Sequence, residues 1–527
     1  MLALEEILRT AHKEHDQGHG HGEEVEVEVS NEEIERYIQT IKTQLQDESA
    51  IPAYSKTSAP LSLVSFKCLL QDTGYPMEVY LPGSSSDAEA EAGPSGQVDW
   101  TQLKERWVGW GVEIPGEQEW SKKAVQLTEE ANLERRLDNV SLHDTRDNQS
   151  KSLPKSVHSK YPLPGKEGAY LGALIKVYDD VSFKPASVHD FIGVLSESSL
   201  PSNEPETADL VPTLHVLKVI DPSTPSSSSA AAVASQSQEE IREDLIDHLA
   251  TAFDPPDRLA ATYLLLTLLS SPTSRPTGMS PVGTLAVNFR RRSQSGGNAV
   301  TSTSSRFHDI VSSVTPHVVP LPLTIPLLHS HSFYPISADS SSLDAGLLQL
   351  AHGTVLIIDE DGMGNGGQLN ENALKNLRAL AECVTEQKVR YEYPYMEGLK
   401  MECATRVAVL SQGKTLMPVD ISISLTSASP RSTKEPALDK FRSYLAHHSS
   451  SAHASRIVIP DETAQLIQDD FVASRREKAD EAEEALKRRM KVARLLALSY
   501  SGAELTKQVW EETVRLDQEV YSRGTLS

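Results

Sequence analysis

The sequence predicts an α/β protein with a β-rich N-terminal part, followed by an α/β domain that ends in helices. Three observations predict it. Short β-like blocks separated by turn residues fill Leu61–Ile220, and strand-like and helix-like blocks alternate from about Glu239 onward. The third is LLQLAHGTVLIIDE, Leu347–Glu360, in which an apolar run ends in two carboxylates. Thr354–Ile358 is too short and too β-branched for a helix interior and reads as a strand buried on both faces. Asp359 and Glu360 then stand at the C-terminal edge of a sheet, where open α/β folds hold nucleotides. In a phosphate-loop ATPase the first acid holds Mg²⁺ and the second orients the attacking water. In a plain core strand the pair only meets solvent.

The chain has 527 residues, enough for two or three domains with cores of their own. No apolar run reaches bilayer-spanning length, and MLALEEILRTAHKEH places acids where a secretory signal needs a basic and then an apolar stretch. No membrane association is expected. Cys68, Cys383 and Cys403 are too few and too scattered for a disulfide framework or a cysteine zinc site, which suits the cytosol or nucleus. A net charge of −24 repels polyanions, so a protein is the expected partner.

Residues 1–50 comprise a helix-prone start, the His-rich acidic stretch HKEHDQGHGHGEEVEVEV and an amphipathic helix. His12, His15, His19 and His21 offer weak metal ligands, but the stretch reads as a solvated tail. Asn31 caps the helix, which carries Ile34, Tyr37, Ile38 and Ile41 on one face. Residues 51–220 form the β-rich domain, with strands in LSLVSFKCLLQD, MEVYLP, ERWVGWGVEIPGEQEW, YLGALIKVYDD, HDFIGVLS and PTLHVLKVI. An OB-like barrel is one form such a domain takes. Polar insertions near 83–97 and 139–160 interrupt it. Trp107, Trp110 and Trp120 either stack on bases or fill a core or protein groove; the sparse basic charge around them favours the second.

Residues 221–238, DPSTPSSSSAAAVASQSQ, form a linker. In the α/β domain, 239–425, EEIREDLIDHLATAF, PPDRLAATYLLLTLLS, RFHDIVSSV and LNENALKNLRALAECVTEQ read as helices. PVGTLAVNF, KVRYEYPY and MECATRVAVLS read as strands, and PLPLTIPLL as extended chain. Residues 426–455 read as a flexible Ser/Thr/His-rich insertion and 456–527 as a helical lid. In that lid Pro460–Asp461 starts one helix, Ala482, Leu486, Arg489, Ala493 and Leu496 recur at helical spacing in the next, and Leu505–Tyr521 forms the last.

A working acid pair needs a phosphate loop, Gly-x-x-x-x-Gly-Lys-Ser/Thr, between an earlier strand and a helix. After PVGTLAVNF the chain reads RRRSQSGGNAVTSTSS, in which Gly296 and Gly297 are followed by no Lys-Ser/Thr pair. The ammonium for the β/γ-phosphates and the hydroxyl for Mg²⁺ are both missing. No ATP hydrolysis, cofactor or metal is therefore expected. AVLSQGKT, Ala408–Thr415, matches a relaxed phosphate-loop pattern, but Pro418 stands where the required helix would start, so it reads as a strand-to-turn junction. Arg290–Arg292 and Lys487–Arg489 with Lys491 have the look of nuclear import signals; for the second, pairing with nearby acids is the plainer reading.

LLQLAHGTVLIIDE, the helix ending at Glu386–Gln387, the two hairpin-like strands and RVAVLS together resemble the AAA+ core of MCM helicases. There a Walker B strand, a helix ending near E-Q and a sensor strand run in that order. The chain is more specifically similar to the MCM-binding protein family, relatives of the MCM subunits that are not helicases. The resemblance is carried by LVSFKCLLQD, VEIPGEQEW, IKVYDD with HDFIGVL, PTLHVL, LPLTIPLL, GQLNENALKNLRALAECVTEQKVRYEY and VARLLALSYSGAELTKQVW, in order from Leu63 to Trp510. Residues 83–97, 426–454 and the His-rich N-terminus look like insertions on this pattern. The resemblance implies a degenerate AAA+-like domain whose Asp359 and Glu360 are a Walker-B-like remnant with no catalytic, cofactor-binding or metal role. It also implies a non-enzymatic nuclear protein that binds MCM helicase subunits and stabilises them. Such a protein assists removal of the MCM complex from chromatin during DNA replication, supports sister-chromatid cohesion, and makes no sequence-specific nucleic acid contact. The alternative is an active AAA+ ATPase with an unconventional phosphate loop. A nucleic-acid-binding β-barrel protein is a third reading, for which the charge is wrong.

Overall fold

The β-like blocks of the N-terminal part fold as β1 (Leu63–Asp72), β2 (Glu78–Tyr80), β3 (Lys104–Val112), β4 (Gly172–Val177), β5 (Val188–Ser199) and β6 (Leu210–Ile220). The computed structural model describes residues 2–19, 31–80, 103–122, 152–201, 209–220, 237–291, 299–337, 342–363, 366–425, 435–450, 457–477, 479–500 and 504–525. β1 pairs with β5, β5 with β6, β6 with β4, β4 with β3, and β3 again with β1, so these five strands close into a barrel that β2 extends at β3. All these pairs are antiparallel except β4–β6. Closure is possible because β1 serves two neighbours: Leu63–Leu69 pair with β5, and Leu69–Asp72 pair with β3 across a register shift.

Alternate residues fill the barrel. Val64, Phe66, Cys68 and Leu70 of β1 meet Trp107, Ile175, Val177, Phe191, Leu195, Leu214 and Val216 in one buried cluster. Gly109 and Gly111 leave room for them: a Cβ on Gly109 would sit 2.2 Å from the Trp107 ring, and one on Gly111 2.8 Å from Cys68 Sγ. Trp110 faces outward and is buried beneath Val157, Tyr161 and Tyr170. Trp107 and Trp110 are thus core residues. Trp120 differs: its Nε1 donates to the Ser312 carbonyl at 2.9 Å, and the Arg442 guanidinium lies 3.9 Å from its ring centroid. It tethers the barrel to the α/β half.

Two helices cover the rest of the barrel, α1 (Leu2–His19) and α2 (Asn31–Gln44). Ile38 and Ile41 of α2 pack with Leu63, Ile192 and Val194, as the apolar face of that helix requires. The reading of the His-rich stretch as a solvated tail is corrected for residues 12–19, which continue α1. The acids there are not simply hydrated, because Glu14 pairs with Arg106 and Lys176 on the barrel. Residues 20–30, with His21, lie outside the described residues, as do 83–97. The polar insertion near 139–160 is corrected in its last part. Residues 139–151 are outside the described set, but Lys155–Lys160 forms a 3₁₀ turn that buries Val157 and Lys160. Lys160 is wholly buried because its ammonium meets the Asp72 carboxylate at 2.8 Å.

The α/β half contributes α3 (Gln238–Ala250), α4 (Arg258–Leu269), β7 (Ala286–Arg290), α5 (Ala299–Val314), β8 (Val318–Pro322), α6 (Ile325–Ser330), β9 (Ile336–Ser337), β10 (Leu343–Asp344) and β11 (Val355–Asp359). It continues with α7 (Glu371–Glu386), β12 (Lys388–Tyr393), β13 (Met396–Glu402), β14 (Arg406–Ser411), β15 (Ile421–Ser424), α8 (Leu438–His448), α9 (Asp461–Glu477), α10 (Ala479–Leu498) and α11 (Lys507–Thr525). Five strands form a parallel sheet in the order β15-β7-β14-β11-β8. Both faces are covered, which is why inner strands such as β11 read as near-continuous apolar runs. Val287, Phe289, Val355, Ile357, Ala408 and Leu410 face α3, α4 and α10, whereas Val319, Leu321, Leu356, Ile358, Val407 and Val409 face α7 and the β12–β13 hairpin.

PLPLTIPLL is extended only as far as Pro322; Thr324 then accepts a hydrogen bond from the Leu327 amide and starts α6. The flexible insertion expected over 426–455 is corrected in its middle. Residues 426–434 and 451–455 lie outside the described residues, but α8 buries Phe441, Tyr444, Leu445 and His448. That i, i+3, i+4, i+7 stripe is masked in the sequence by the Ser and His residues around it. The helices expected as a lid share the body's core: Val492, Ala493, Leu496 and Trp510 join Leu264 and Phe289 in one cluster. No described helix is long and apolar enough to cross a membrane.

Candidate functional site

The chain passes from β7 to β8 on one side and from β14 to β15 on the other, so the strand order reverses between β7 and β14. In an open parallel sheet the ligand crevice forms at the C-terminal ends of the strands at such a point. Three segments meet there: Arg291 just after β7, Asp359–Asp361 after β11, and Gln412–Leu416 after β14.

Asp359 ends β11 in register with Leu410 of β14 and Pro322 of β8, as the apolar strand ending in acids predicts. Arg291 fills the space in front of it. Its Nη2 donates to Asp361 Oδ2 at 2.5 Å and to Asp359 Oδ1 at 3.1 Å. The Asp361 amide also donates to Asp359 Oδ1, at 3.1 Å. Arg291 is buried, and its Nε and Nη1 have no partner among the described residues. A guanidinium therefore stands directly against the first acid.

Glu360 points away from Asp359, toward the turn after β14. Its Oε1 accepts from the Thr415 hydroxyl at 2.8 Å and from the Leu416 amide at 3.0 Å. Burial raises the Glu360 carboxyl above the ordinary carboxylate range, although these hydrogen bonds oppose the shift. Burial likewise raises Asp361, against the pull of Arg291. The Glu360 carboxylate is thus engaged by a backbone amide and a hydroxyl of the turn after β14. The arrangement ties the ends of β7, β11 and β14 together at one edge of the sheet.

Asp359 and Glu360 stand at the end of β11, where the sequence reading puts them, and their side chains meet different partners, Arg291 for the first and Thr415 with Leu416 for the second. Arg291, read as part of a basic cluster, and Thr415, read as part of a misleading phosphate-loop match, are the residues that hold them. Ala408–Ser411 belongs to β14 and 412–415 to the turn, so that segment is a strand-to-turn junction. Gly296 and Gly297 lie outside the described residues. Among the described residues no group of three or more His, Cys, Asp or Glu is placed to hold a metal ion. The second basic cluster is internally paired: Arg488 and Arg489 each reach Asp517 at 2.7 Å, and Lys491 reaches Asp420 at 2.6 Å.

Comparison with known proteins bears on this geometry. The family model described as mini-chromosome maintenance replisome factor matches residues 128–524. The mini-chromosome maintenance complex-binding protein of Danio rerio is 27% identical, covering 87% of this chain and 88% of its own length. Its namesake from Arabidopsis thaliana is 27% identical over 91% and 92% of the two chains, and the one from Homo sapiens 26% over 92% of each. With a match spanning the last barrel strands, the whole parallel sheet and the C-terminal helices, the chain belongs to the mini-chromosome maintenance replisome factor family.

Proposed function

We propose that the chain is a non-enzymatic factor that binds MCM helicase subunits, combining an OB-like barrel with a degenerate AAA+-like domain. The observation that carries the non-enzymatic part is Arg291, whose guanidinium stands directly against Asp359. The barrel's five closed strands, with one parallel pair, support the OB-like assignment. The doubly wound parallel sheet, with its acid-tipped strand β11 beside the central strand β14, supports the AAA+-like one. The relatives are named for binding the MCM complex, and this chain covers nearly their whole length. On this reading residues 51–220 and 239–425 are separate domains joined by 221–238, with α9–α11 closing the second, and α8 belongs to its core. The protein acts in the nucleus, keeps MCM subunits stable, and helps release their complex from chromatin during DNA replication, with an effect on sister-chromatid cohesion.

Two measurements test this. Separately expressed MCM subunits are offered to the immobilised full-length chain; capture of at least one is expected, and capture of none overturns the binding reading. Phosphate release from ATP is followed for the wild type and Glu360→Gln. The expected result is no Glu360-dependent release, whereas hydrolysis abolished by that substitution favours the active ATPase.

A further inference from the structure

Helix α1 lies in a groove and is held there by a short apolar seam and a set of ion pairs. Its fully buried apolar side chains are Leu8 and Ala11, which rest on Leu63, Ile192 and Val194 of the barrel and on Ile38 and Ile41 of α2. Ion pairs supply the rest. Glu5 meets Lys42 of α2, Arg9 meets Glu35 at 2.6 Å, and Glu6 meets Lys104 at 2.7 Å. Glu14 reaches Arg106 with one oxygen and Lys176 with the other, the latter at 2.8 Å. Lys104, Arg106 and Lys176 come from the adjacent strands β3 and β4, and the rings of Tyr80 and Tyr178 flank Arg106 at 5.2 and 5.5 Å from their centroids. Burial alone would raise the Glu14 carboxyl, but Lys176 and Arg106 outweigh it and keep it below the ordinary range. Among the described side chains, Leu4 packs partly buried beside Leu8 and Ala11, and His12 meets the Tyr37 ring edge-on, so a short apolar seam and several ion pairs hold this terminal segment, the kind of element that opens locally. Its docking is also weakened by salt.

We propose that this groove is a docking site for an acidic amphipathic helix of a partner protein, and that α1 is its resident occupant, which the incoming helix displaces. The groove states what it selects. Its apolar floor takes one Leu-sized and one Ala-sized side chain at the spacing of Leu8 and Ala11, and its cations take carboxylates at the spacing of Glu6 and Glu14. A nucleic acid strand fits less well. It would leave the floor of Leu63, Ile192 and Val194 uncovered, and Glu78, 2.6 Å from Arg106 and 3.0 Å from Lys176, would face its phosphates.

The test releases α1 in the full-length chain without touching the groove, by Leu8→Glu with Glu14→Lys, and by Glu14→Lys alone as a milder second variant. The probes are two fluorescein-labelled peptides. One carries residues 2–19 of this chain, and the other has an unrelated sequence that keeps only Glu, Leu, Ala and Glu at the spacing of positions 6, 8, 11 and 14. Because an occupied groove lowers apparent affinity by the fraction that is free, both peptides should bind the released variants at least about tenfold tighter than the wild type. Adding Lys176→Glu should remove that binding, and raised salt should weaken it. The proposal is overturned if released and wild-type chains bind alike, if the unrelated peptide does not bind, or if an oligo-dT single strand displaces the peptides. It is also overturned if both variants lose cooperative unfolding, which makes α1 an indispensable part of the barrel. Wild-type dimers that the first peptide dissociates would overturn it too, in favour of α1 exchanged between two copies of the chain.

Discussion

Ile357→Asp unfolds the α/β half of the protein. Ile357 is 1% exposed at the centre of β11, with Pro320 of β8 and Ala408 of β14 as its partners on either side. Its side chain enters the apolar cluster shared by α3, α4 and the C-terminal helices. Burying an uncompensated charge costs on the order of several kcal/mol, a large share of the ~5–15 kcal/mol that holds a domain together. The expected outcome is loss of the cooperative thermal transition of the α/β half, or a midpoint lowered by many degrees. Ile357→Val, which removes only a methylene, should cost about 0.5–1.5 kcal/mol and leave the transition intact. A midpoint unchanged by Ile357→Asp would contradict the placement of β11 inside the sheet, between β8 and β14.

The second large effect is expected at the junction between the barrel and the α/β half. Lys160 and Asp72 form a wholly buried pair, and Asp72 Oδ2 also accepts from the Leu343 amide at 3.1 Å. Beside them Gln71 donates to the Leu343 carbonyl at 3.0 Å, and Gln349 donates to the Gln71 carbonyl at 2.6 Å. Lys160→Met keeps most of the side-chain volume but leaves the Asp72 carboxylate buried with only amide partners, at a cost of about 3–5 kcal/mol. Because Asp72 belongs to β1 and Leu343 to β10, the damage falls on the seam. Denaturant unfolding should change from one transition toward two, with the barrel and the α/β half melting apart. Asp72→Asn with Lys160→Met removes both charges and should recover part of the loss, since the remaining groups are neutral. A single transition at unchanged midpoint in Lys160→Met would show that the seam is held by other contacts.

Local pattern was enough to place most elements of this chain. The run Val355–Ile358 is apolar at every position because a covered parallel strand has no solvent face, and that can be read without knowing the neighbours. The amphipathic periods of α2 and α7 are local in the same sense. The terminal position of Asp359 and Glu360 and the missing Lys-Ser/Thr pair are also sequence facts, and with the resemblance to MCM-binding proteins they indicated the family.

What the tertiary structure decided concerns charges whose partners lie far along the chain. Arg291 is 68 residues from Asp359, Lys160 is 88 from Asp72, and Glu14 is 92 from Arg106. Each looks like a solvated surface residue until folding brings an opposite charge to it, and only then does its burial become affordable. Barrel closure is non-local for the same reason: nothing in Leu63–Asp72 alone says that its two ends serve β5 and β3. Helix α8 and residues 12–19 of α1 were hidden by Ser, His and acidic neighbours. Composition averages over a window, whereas burial depends on the few side chains that face the core.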